Sequence, residues 1–315
     1  MRATASSPAK TILFGEHFVV KGAAGVAAAI GLRARVSVEE HNGEGIVVES
    51  GFGRARIDHG GESWARPFSK VLEWLGSIGY SLTPVRARID SGIPPGAGLG
   101  SSAATIAAFT LAYTALHGDP LPPEGLIRAA MVGESVAHGR PSGIDPTVTV
   151  LGGVVSFSRE EEPLVIRPPG VDRVALVIAD TGIARSTRRA VESVLALAER
   201  YWDVFSKLYY AADTLSRRAV KMLSRGDYEG VGELMNINHG LLSAIGVSRI
   251  ELEELVYKAR GLGALGAKIT GAGMGGSIVA LARRDDVDRI VDGLRGTARW
   301  VKAVDIGVNG VMLEE

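Results

Sequence analysis

The sequence predicts an α+β fold divided into two domains. Strand-like segments that alternate apolar and polar residues are mixed with helical segments in both halves, and several of them pair as antiparallel hairpins. A chain of 315 residues with 46% hydrophobic residues is long enough to bury two cores. The cluster Pro168-Pro169-Gly170 is the best candidate boundary. We therefore place the two domains at residues 1–168 and 169–315.

Composition excludes several classes of protein. The 35 basic and 35 acidic residues cancel, so neither a nucleic-acid partner nor a polybasic membrane surface is expected. The absence of cysteine excludes disulfides, thiol catalysis and cysteine-type zinc sites. Glutamine is also absent, which weakly indicates a thermophilic source. No signal peptide or membrane-length apolar run is visible, so we expect a soluble cytoplasmic protein.

The first half alternates strand and helix patterns. Residues 33–39 carry Ala34, Val36 and Val38 on one side, as a half-buried strand does, and residues 45–49 resemble its hairpin partner. Residues 123–138 form a helical pattern that proline opens and glycine follows. The other expected elements are a strand at 9–20 broken at 15–17, a small apolar segment at 23–29, a helix at 68–76, a strand at 85–90, a helix at 103–116 and a strand at 148–157.

The second half opens with an apolar strand at residues 174–179. An apolar-periodic stretch over residues 186–224 is too long for a typical globular helix, so we expect a break within it. The remaining expected elements are helices at 227–239 and 249–262, a strand at 267–270, a glycine turn at 271–276, a strand at 277–281, a helix from 286 and a final strand at 301–306.

The most informative segment is the glycine-rich turn Pro94–Ala104, which lies between a strand and a helix. Three glycines and two serines, with a helix directly after them, expose backbone N–H groups at the positive end of a helix dipole. Phosphate is the usual anion at such a site. The turn lacks the Gly-Lys-Ser/Thr ending of a Walker A loop, and it does not fit a dinucleotide fingerprint.

Two carboxylates stand out downstream of this turn. Glu134 falls on the apolar stripe of its helix, where it must be paired or hold a metal, unless it lies at the edge and reaches solvent. A phosphate loop upstream favours Mg²⁺, which takes few protein oxygens in addition to phosphate oxygens. Asp145 lies in a rigid Pro- and Gly-containing turn. It could accept a proton from a substrate hydroxyl, although the local sequence alone favours a turn-stabilising role.

Cationic side chains near the ends of strands are further candidates. Lys10 stands in an apolar strand, where the alternative is an edge cation that reaches solvent. Glu16 and His17 follow it, and for His17 a satisfied turn histidine is normally the commoner case. Arg185 and Thr187 follow the strand at 174–179, together with Arg188 and Arg189. Arginines at a helix start oppose its dipole, so some could serve an anion; a solvated charge run is the alternative. The glycine turn at 271–276 is either a tight hairpin or backbone that lines a site.

Three segments together resemble the GHMP small-molecule kinases. They are Pro8–Gly22, Pro94–Ala104 and Lys268–Leu281, in that order along the chain. The first is close to the pattern of mevalonate kinases, as are the spacing from Glu134 to Asp145 and the Arg185-Ser186-Thr187 segment. Galactokinases instead carry Thr-Asp after the Glu-His pair, where this chain has Phe18-Val19.

The resemblance implies a ribosomal-S5-like N-terminal domain and a ferredoxin-like C-terminal domain, with ATP and substrate in the cleft between them. Asp145 and Lys10 would be the catalytic residues, and Ser102 and Glu134 the ligands of Mg²⁺. The other implied site residues are Pro95, Gly96, Ala97, Gly98, Leu99, Gly100, Ser101, Ser102 and Gly273 at the ATP phosphates, and Glu16, His17, Arg185, Thr187, Gly271 and Ala272 near the acceptor.

The activity implied by the resemblance is ATP-dependent phosphorylation of the 5-hydroxyl of mevalonate, in the pathway to isoprenoids. Asp145 would either deprotonate that hydroxyl or only orient it, with Lys10 beside it. The partners would be ATP and mevalonate, and a homodimer is possible. Another GHMP kinase, acting on phosphomevalonate, homoserine or a sugar, is the alternative. A non-catalytic binding module should have lost Lys10, Ser102, Glu134 or Asp145, and this chain has all four.

Overall fold

The computed structural model describes residues 1–43, 45–58, 62–138, 143–158, 162–184 and 186–314. The strands are β1 (Arg2–Phe14), β2 (Gly25–Glu40), β3 (Val47–Ser50), β4 (Gly53–Arg56), β5 (Val85–Ser91), β6 (Val154–Phe157), β7 (Leu164–Ile166), β8 (Val174–Asp180), β9 (Gly266–Ile269), β10 (Ser277–Arg283), β11 (Trp300–Val304) and β12 (Met312–Glu314). The helices are α1 (Arg66–Ser77), α2 (Ser101–Leu116), α3 (Pro123–His138), α4 (Ile144–Leu151), α5 (Thr187–Arg200), α6 (Trp202–Leu223), α7 (Tyr228–Ala244), α8 (Ile250–Gly261) and α9 (Val287–Arg295).

The N-terminal sheet is built on the two longest strands, β1 and β2. Its main path runs β12-β1-β2-β5-β3-β4, and β6 joins β2 at one end and carries β7. All pairs are antiparallel except β3 with β5. The helices α1, α2 and α3 share a core with this sheet that includes Val36, Leu72, Phe109 and Leu126. Because α2 is apolar on all sides, it lies buried between the sheet and the other helices.

The C-terminal sheet runs β11-β8-β10-β9, and every neighbouring pair is antiparallel. Helices α8 and α9 pack on this sheet and contribute Leu255 and Ile290 to its core. A further core joins the two halves, with Leu13 and Ile30 from one sheet and Leu176 and Val279 from the other. The predicted α+β fold with two domains is therefore confirmed. None of the helices in the described ranges is long and apolar enough to cross a lipid bilayer.

Three predicted strands are wrong in detail. Residues 18–20, expected to continue the broken strand at 9–20, lie in a 3₁₀ helix, Phe18–Lys21. Residues 148–151 belong to the helix α4, and only residues 154–157 form a strand. Gly143 in a left-handed conformation precedes α4 and Gly152 follows it, so the glycines set the helix boundaries despite the β-branched residues between them. The segment expected as a hairpin partner of β2 is β3, which instead pairs with β4 and β5. The break predicted within residues 186–224 is confirmed at Tyr201, between α5 and α6.

The end of the chain returns to the N-terminal sheet. β11 was expected to be the last strand, but β12 follows it and pairs with β1. Ile306 bridges Ile30, and Asn309 bridges Gly152. Residues 305–314 therefore lie against the N-terminal domain, although they follow the C-terminal sheet in sequence. The division at residue 168 stays a prediction, and this tail lies on the other side of it.

Candidate active site

The glycine loop before α2 turns its backbone toward solvent. Gly96, Gly98 and Gly100 have φ angles of 73°, 73° and 72°, a region that favours glycine. Ala97 and Leu99 point inward and are buried in the core shared by the two halves. The alternating glycines are exposed or partly exposed. The loop is thus anchored by every second side chain, and its glycines leave the backbone open to a ligand.

The first turn of α2 presents backbone N–H donors that no described side chain caps. Gly100 is its N-cap residue. Ser101 is partly exposed and Ser102 is exposed, so both residues are accessible from solvent at the start of α2. Uncapped N–H groups at the positive end of a helix dipole bind anions such as phosphate.

Lys10 and Asp145 form an ion pair directly beside this loop. The Lys10 Nζ and Asp145 Oδ1 are 2.9 Å apart. The Lys10 side chain is 6% exposed and that of Asp145 28% exposed. The backbone N–H of Lys10 donates to the carbonyl of Leu99 at 2.9 Å, which ties β1 to the loop. A Cβ on Gly100 would meet the Lys10 Cγ at 2.9 Å and the Asp145 Oδ2 at 3.5 Å, so the loop packs against the pair.

Asp145 is placed by the start of α4. It lies in the first turn, after the N-cap Gly143 with φ of 80°. The hydroxyl of Thr149 donates to the Asp145 carbonyl at 2.9 Å and to the Pro146 carbonyl, both within the helix. A carboxylate in the first turn is stabilised by the helix dipole. The preceding Pro141 and Ser142 lie outside the described residues.

Glu134 is a buried carboxyl group close to the ion pair. It is 6% exposed on α3. The pKa of Glu134 is raised to about 8, first by burial and then by the charge of Asp145, and Lys10 opposes the rise. Two neighbouring carboxylates with one ammonium group leave an excess of negative charge when both ionise. The site thus favours an additional cation or a proton.

The surroundings of Glu134 suit a hard cation that prefers oxygen ligands. Gly133, its neighbour on α3, packs against Ile106 of α2, where a Cβ would lie 2.5 Å from Cδ1. Ser102 lies one turn before Ile106 on the same face of α2. No cluster of three or more acidic or histidine side chains forms a ready-made metal site within the described ranges. Few protein oxygens suit Mg²⁺, which keeps waters and substrate phosphates as its other ligands.

Glu16 and His17 lie where the first segment enters the C-terminal domain. Glu16 pairs with Lys268 and also accepts a hydrogen bond from Asn238 Nδ2 at 3.1 Å. The Nε2–H of His17 donates to the Ala272 carbonyl at 2.8 Å. Burial lowers the pKa of His17, which favours the neutral imidazole at pH 7. These two residues thus hold the turn against the second glycine loop.

The second glycine loop, residues 271–276, is fixed by backbone hydrogen bonds. Met274 has a φ of 57°, the one positive value at a non-glycine position in the part of the chain described. Its N–H donates to the Val247 carbonyl at 2.7 Å, and that of Gly276 donates to the Ile183 carbonyl. A Cβ on Gly273 would lie 2.4 Å from the Val247 carbonyl oxygen. Close backbone approach therefore explains the glycine at this position.

Comparison with known proteins identifies the family. The model of the GHMP kinases N terminal domain matches residues 67–153, and that of the GHMP kinases C terminal region matches residues 219–298. A mevalonate kinase of Aeropyrum pernix is 45% identical over 99% of this chain and 98% of its own length. The chain belongs to the GHMP kinases, among the mevalonate kinases. It is therefore an ATP-dependent kinase, a transferase that acts on an alcohol.

Other mevalonate kinases support the same placement. The enzyme of Methanothermobacter thermautotrophicus is 38% identical over 89% of this chain and 90% of its own. The crystal structure of L. major mevalonate kinase in complex with R-mevalonate is 31% identical, with a TM-score of 0.84 over 96% of this chain and 95% of that one. The GHMP kinase fold implied by the three sequence segments is confirmed.

The described residues of the arginine-rich segment lie at an exposed helix start of this GHMP kinase. Thr187 is the first residue of α5 and is exposed, and Arg185 lies outside the described residues. Arg188 is exposed and pairs with Glu192 at 2.8 Å along the same helix. The roles expected for Arg185 and Thr187 stay predictions.

Sequence reasoning missed two polar residues of the kinase, Lys268 and Asn238. Both are completely buried, and both contact Glu16. Lys268 is flanked by Ala267 and Ile269 in a short apolar strand. A lysine in such a strand is the same signal that singled out Lys10, and it could have found this residue. Asn238 lies on a helix with no comparable pattern.

Proposed function

We propose that this chain transfers the γ-phosphoryl group of ATP to the 5-hydroxyl of mevalonate. The observation that carries the proposal is the Lys10–Asp145 ion pair, held between the glycine loop and the first turn of α4. The names of its relatives support mevalonate as the acceptor, and one similar structure contains R-mevalonate. The family supports the reaction class, and the ion pair supports the proposed location of the reaction beside the glycine loop.

Asp145 binds the hydroxyl group of the acceptor and accepts its proton. Its side chain is the more exposed member of the pair, so a substrate hydroxyl can reach it. The hydroxyl oxygen forms a bond to the γ-phosphorus, the bond from that phosphorus to the β,γ-bridging oxygen breaks, ADP leaves, and the hydroxyl proton passes to Asp145. Lys10 holds the carboxylate in place and adds positive charge beside the transferring group, which a loose transition state requires.

The glycine loop and α2 bind the phosphates of ATP. The backbone around Gly96, Gly98 and Gly100 is open to solvent, and no side chain in the described part of the chain caps the first N–H groups of α2. Ser101 and Ser102 add hydroxyl groups there. Glu134 and Ser102 would hold Mg²⁺, because a cation in place of the proton would neutralise the buried Glu134 carboxylate beside Asp145. When bound, the ion neutralises phosphate charge.

The acceptor is expected on the side of Glu16, His17, Gly271 and Ala272. The hydrogen bond from His17 to Ala272 joins two segments that meet near Lys10. Phosphomevalonate would need additional cations for its phosphate. Of the two arginines considered for this role, Arg188 is already paired with Glu192 on an exposed helix face. The names of the relatives support mevalonate rather than phosphomevalonate. The cytoplasmic location and the homodimer stay predictions.

An acceptor screen tests the proposal. The purified chain is incubated with ATP and Mg²⁺ and with mevalonate, phosphomevalonate, homoserine or galactose in turn, and ADP release and the phosphorylated product are measured. We expect turnover with mevalonate at a kcat/KM at least about tenfold above that of the others. The Asp145→Asn variant is the control for contaminating kinases. A higher kcat/KM on another acceptor would overturn the assignment.

A further inference from the structure

We propose that Lys268 and Asn238 are positioning residues of the acceptor side of the site, which act by holding Glu16 in a buried ion pair between the two domains. The inference rests on the proposed function for the identity of the acceptor, but its structural part does not. Neither residue touches the Lys10–Asp145 pair among the contacts that the structure describes.

Glu16 is bound through both carboxylate oxygens by the C-terminal domain. The ammonium of Lys268 pairs with Oε1, and the side chains are 0% and 1% exposed. The Nδ2 of Asn238 donates to Oε2 at 3.1 Å. The Lys268 Nζ also donates to the Ile269 carbonyl at 2.6 Å. A residue of the N-terminal segment is thus held by a strand and a helix, β9 and α7, of the other domain.

This ion pair is one of three links between the same two segments. The Thr11 and Thr270 hydroxyls are 2.9 Å apart, and the N–H of Ile12 donates to the Thr270 hydroxyl. His17 donates to Ala272. The segment 268–272 therefore contacts the segment 11–17 through its first residue, Lys268, its middle residue, Thr270, and its last residue, Ala272. Lys10 directly precedes Thr11, which makes the first of these links. Ala272, which makes the last, belongs to the second glycine loop.

Stability alone does not account for this arrangement. A buried ion pair is often no more stabilising than well-packed apolar residues, because both charges lose their hydration. The Oδ1 of Asn238 is buried and has no hydrogen-bond partner among the described residues, which is a further cost. The geometry therefore points to a role in orientation. The buried ion pair fixes the position of the turn that contains His17 relative to the 271–276 loop.

Hydrogen exchange of the ligand-free protein tests the structural part. Lys268→Met removes the ammonium that binds Glu16 Oε1, and with it one of the links that hold the His17 turn. We expect faster exchange in peptides that cover residues 15–22 and 270–276, and unchanged exchange in residues 101–116. Leu294→Ala is the control, because it opens a cavity in the core of the C-terminal domain, on α9. Uniformly faster exchange in both variants would overturn the proposal.

Steady-state kinetics test the positioning role. We expect Lys268→Met to raise the KM for mevalonate about tenfold or more, with the KM for ATP within about twofold of the parent. The double variant Lys268→Met/Glu16→Gln removes both charges and keeps an amide that Asn238 can bind, so it should recover much of the loss. Leu294→Ala should lower the melting temperature and leave both KM values unchanged.

The outcomes separate this inference from the proposed function. A wild-type chain that does not phosphorylate mevalonate contradicts the proposed function, and hydrogen exchange still decides the structural claim. An equal rise of both KM values in Lys268→Met would overturn the positioning role, since it would indicate general loosening. No recovery in the double variant would also overturn it, because the charge of Glu16 itself would then be what the acceptor needs.

Discussion

The side chains around Lys10 form an unbalanced charge cluster. Asp145 pairs with it at 2.9 Å, and Glu134 is close enough for the charge of Asp145 to raise its pKa. Phosphoryl transfer is faster when the charged side chains of the active site are already oriented before the substrate binds, because no free energy is then spent on orienting them during the reaction. The cluster is therefore set up for a ligand that brings both phosphates and a cation.

Replacing Asp145 with asparagine tests the role of its carboxylate. Asparagine is close to it in shape but cannot accept the acceptor's proton, so we expect kcat to fall by roughly 10²–10⁴-fold. The glycine loop and α2 are unchanged, so the affinity for ATP should stay near that of the parent. Mevalonate-dependent ADP release and calorimetric titration with a non-hydrolysable ATP analogue measure the two quantities. Retained turnover would remove Asp145 from the mechanism.

The pH dependence of stability tests the environment of Glu134. Its pKa is raised to about 8 by burial, so between its unfolded value and 8 the folded protein binds a proton that the unfolded chain does not. This contribution to stability is lost as the pH rises through 8. Metal-free Glu134→Gln should therefore melt at a higher temperature than the parent at pH 9, and the difference should shrink toward pH 5.

A Mg²⁺ titration completes that test. Glu134→Gln should need more Mg²⁺ for half-maximal activity than the parent, because a neutral amide binds the ion more weakly than a carboxylate. Ser135→Ala, a change at the exposed neighbouring position, is the control. Identical Mg²⁺ requirements in Glu134→Gln and the parent would argue against ligation.

Single residues were predictable where a charge stood in an apolar pattern. Lys10 in a strand and Glu134 on a helix stripe both gave this signal, and the structure buries both. The pairing of Lys10 with Asp145 could not be derived from local sequence, since the two residues are distant in the chain and meet only through packing. The resemblance to a known family supplied that link. Asn238 gave no signal because its partner is 222 residues away.

At the level of elements, the glycine loop is built from two kinds of position. Gly96 has open space where a Cβ would be, so its exposed backbone can meet a ligand. Gly100 faces the Lys10 side chain, so its missing side chain makes room for protein. Sequence reasoning assigned all the glycines to the phosphates. The structure separates the ones that face outward from the one that packs against Lys10.

Gly100→Ala should therefore impair turnover. A methyl group would lie 2.9 Å from the Lys10 Cγ, which would move Lys10 relative to Asp145. We expect kcat to fall by about tenfold or more, equivalent to about 1.4 kcal/mol in the barrier. Gly118→Ala is the matched control, since its φ of 77° carries the same strain and nothing lies within 4 Å of its Cβ. Equal kcat values in the two variants would contradict this role.

Elements whose ends are marked by proline or glycine were predicted well. α3 has proline at its start, and residues 123–138 are helical as expected. α4 was mistaken for a strand because Val148 and Val150 alternate with threonines. β-Branched residues favour strands only weakly, and the cap glycine with Asp145 and Pro146 in the first turn outweighs them. The error matters because α4 is the element that carries Asp145.

At the level of the whole molecule, the chain crosses between the domains more than once. β1 lies between β2 and β12 of the N-terminal sheet, and its Thr11 contacts Thr270 of the C-terminal domain. The tail after β11 then returns to the N-terminal sheet. No local pattern predicts such long-range returns, because a three-residue strand such as β12 carries too little periodicity. The tail also contacts the end of α4, through the Val311 N–H and the Val150 carbonyl.

Arg33 is the side chain that secures this tail. Its guanidinium donates to the Asn309 and Gly310 carbonyls at 2.9 and 2.8 Å, and also to the hydroxyl and carbonyl of Ser6. Arg35, two residues along β2, instead makes an exposed ion pair with Glu314. The two arginines lie on the same face of β2. Arg33 binds backbone carbonyls of the tail, whereas Arg35 binds the side chain of Glu314.

Replacing each arginine with alanine compares these roles. Arg33→Ala leaves carbonyls of the tail and of β1 without donors, so we expect the free energy of unfolding to fall by about 2–3 kcal/mol. Arg35→Ala removes only a surface ion pair and should cost less than about 1 kcal/mol. Urea denaturation measures both. Because the tail contacts the end of the helix that carries Asp145, Arg33→Ala should also lower kcat, whereas Arg35→Ala should not. Equal losses of stability in the two variants would show that the tail does not depend on Arg33.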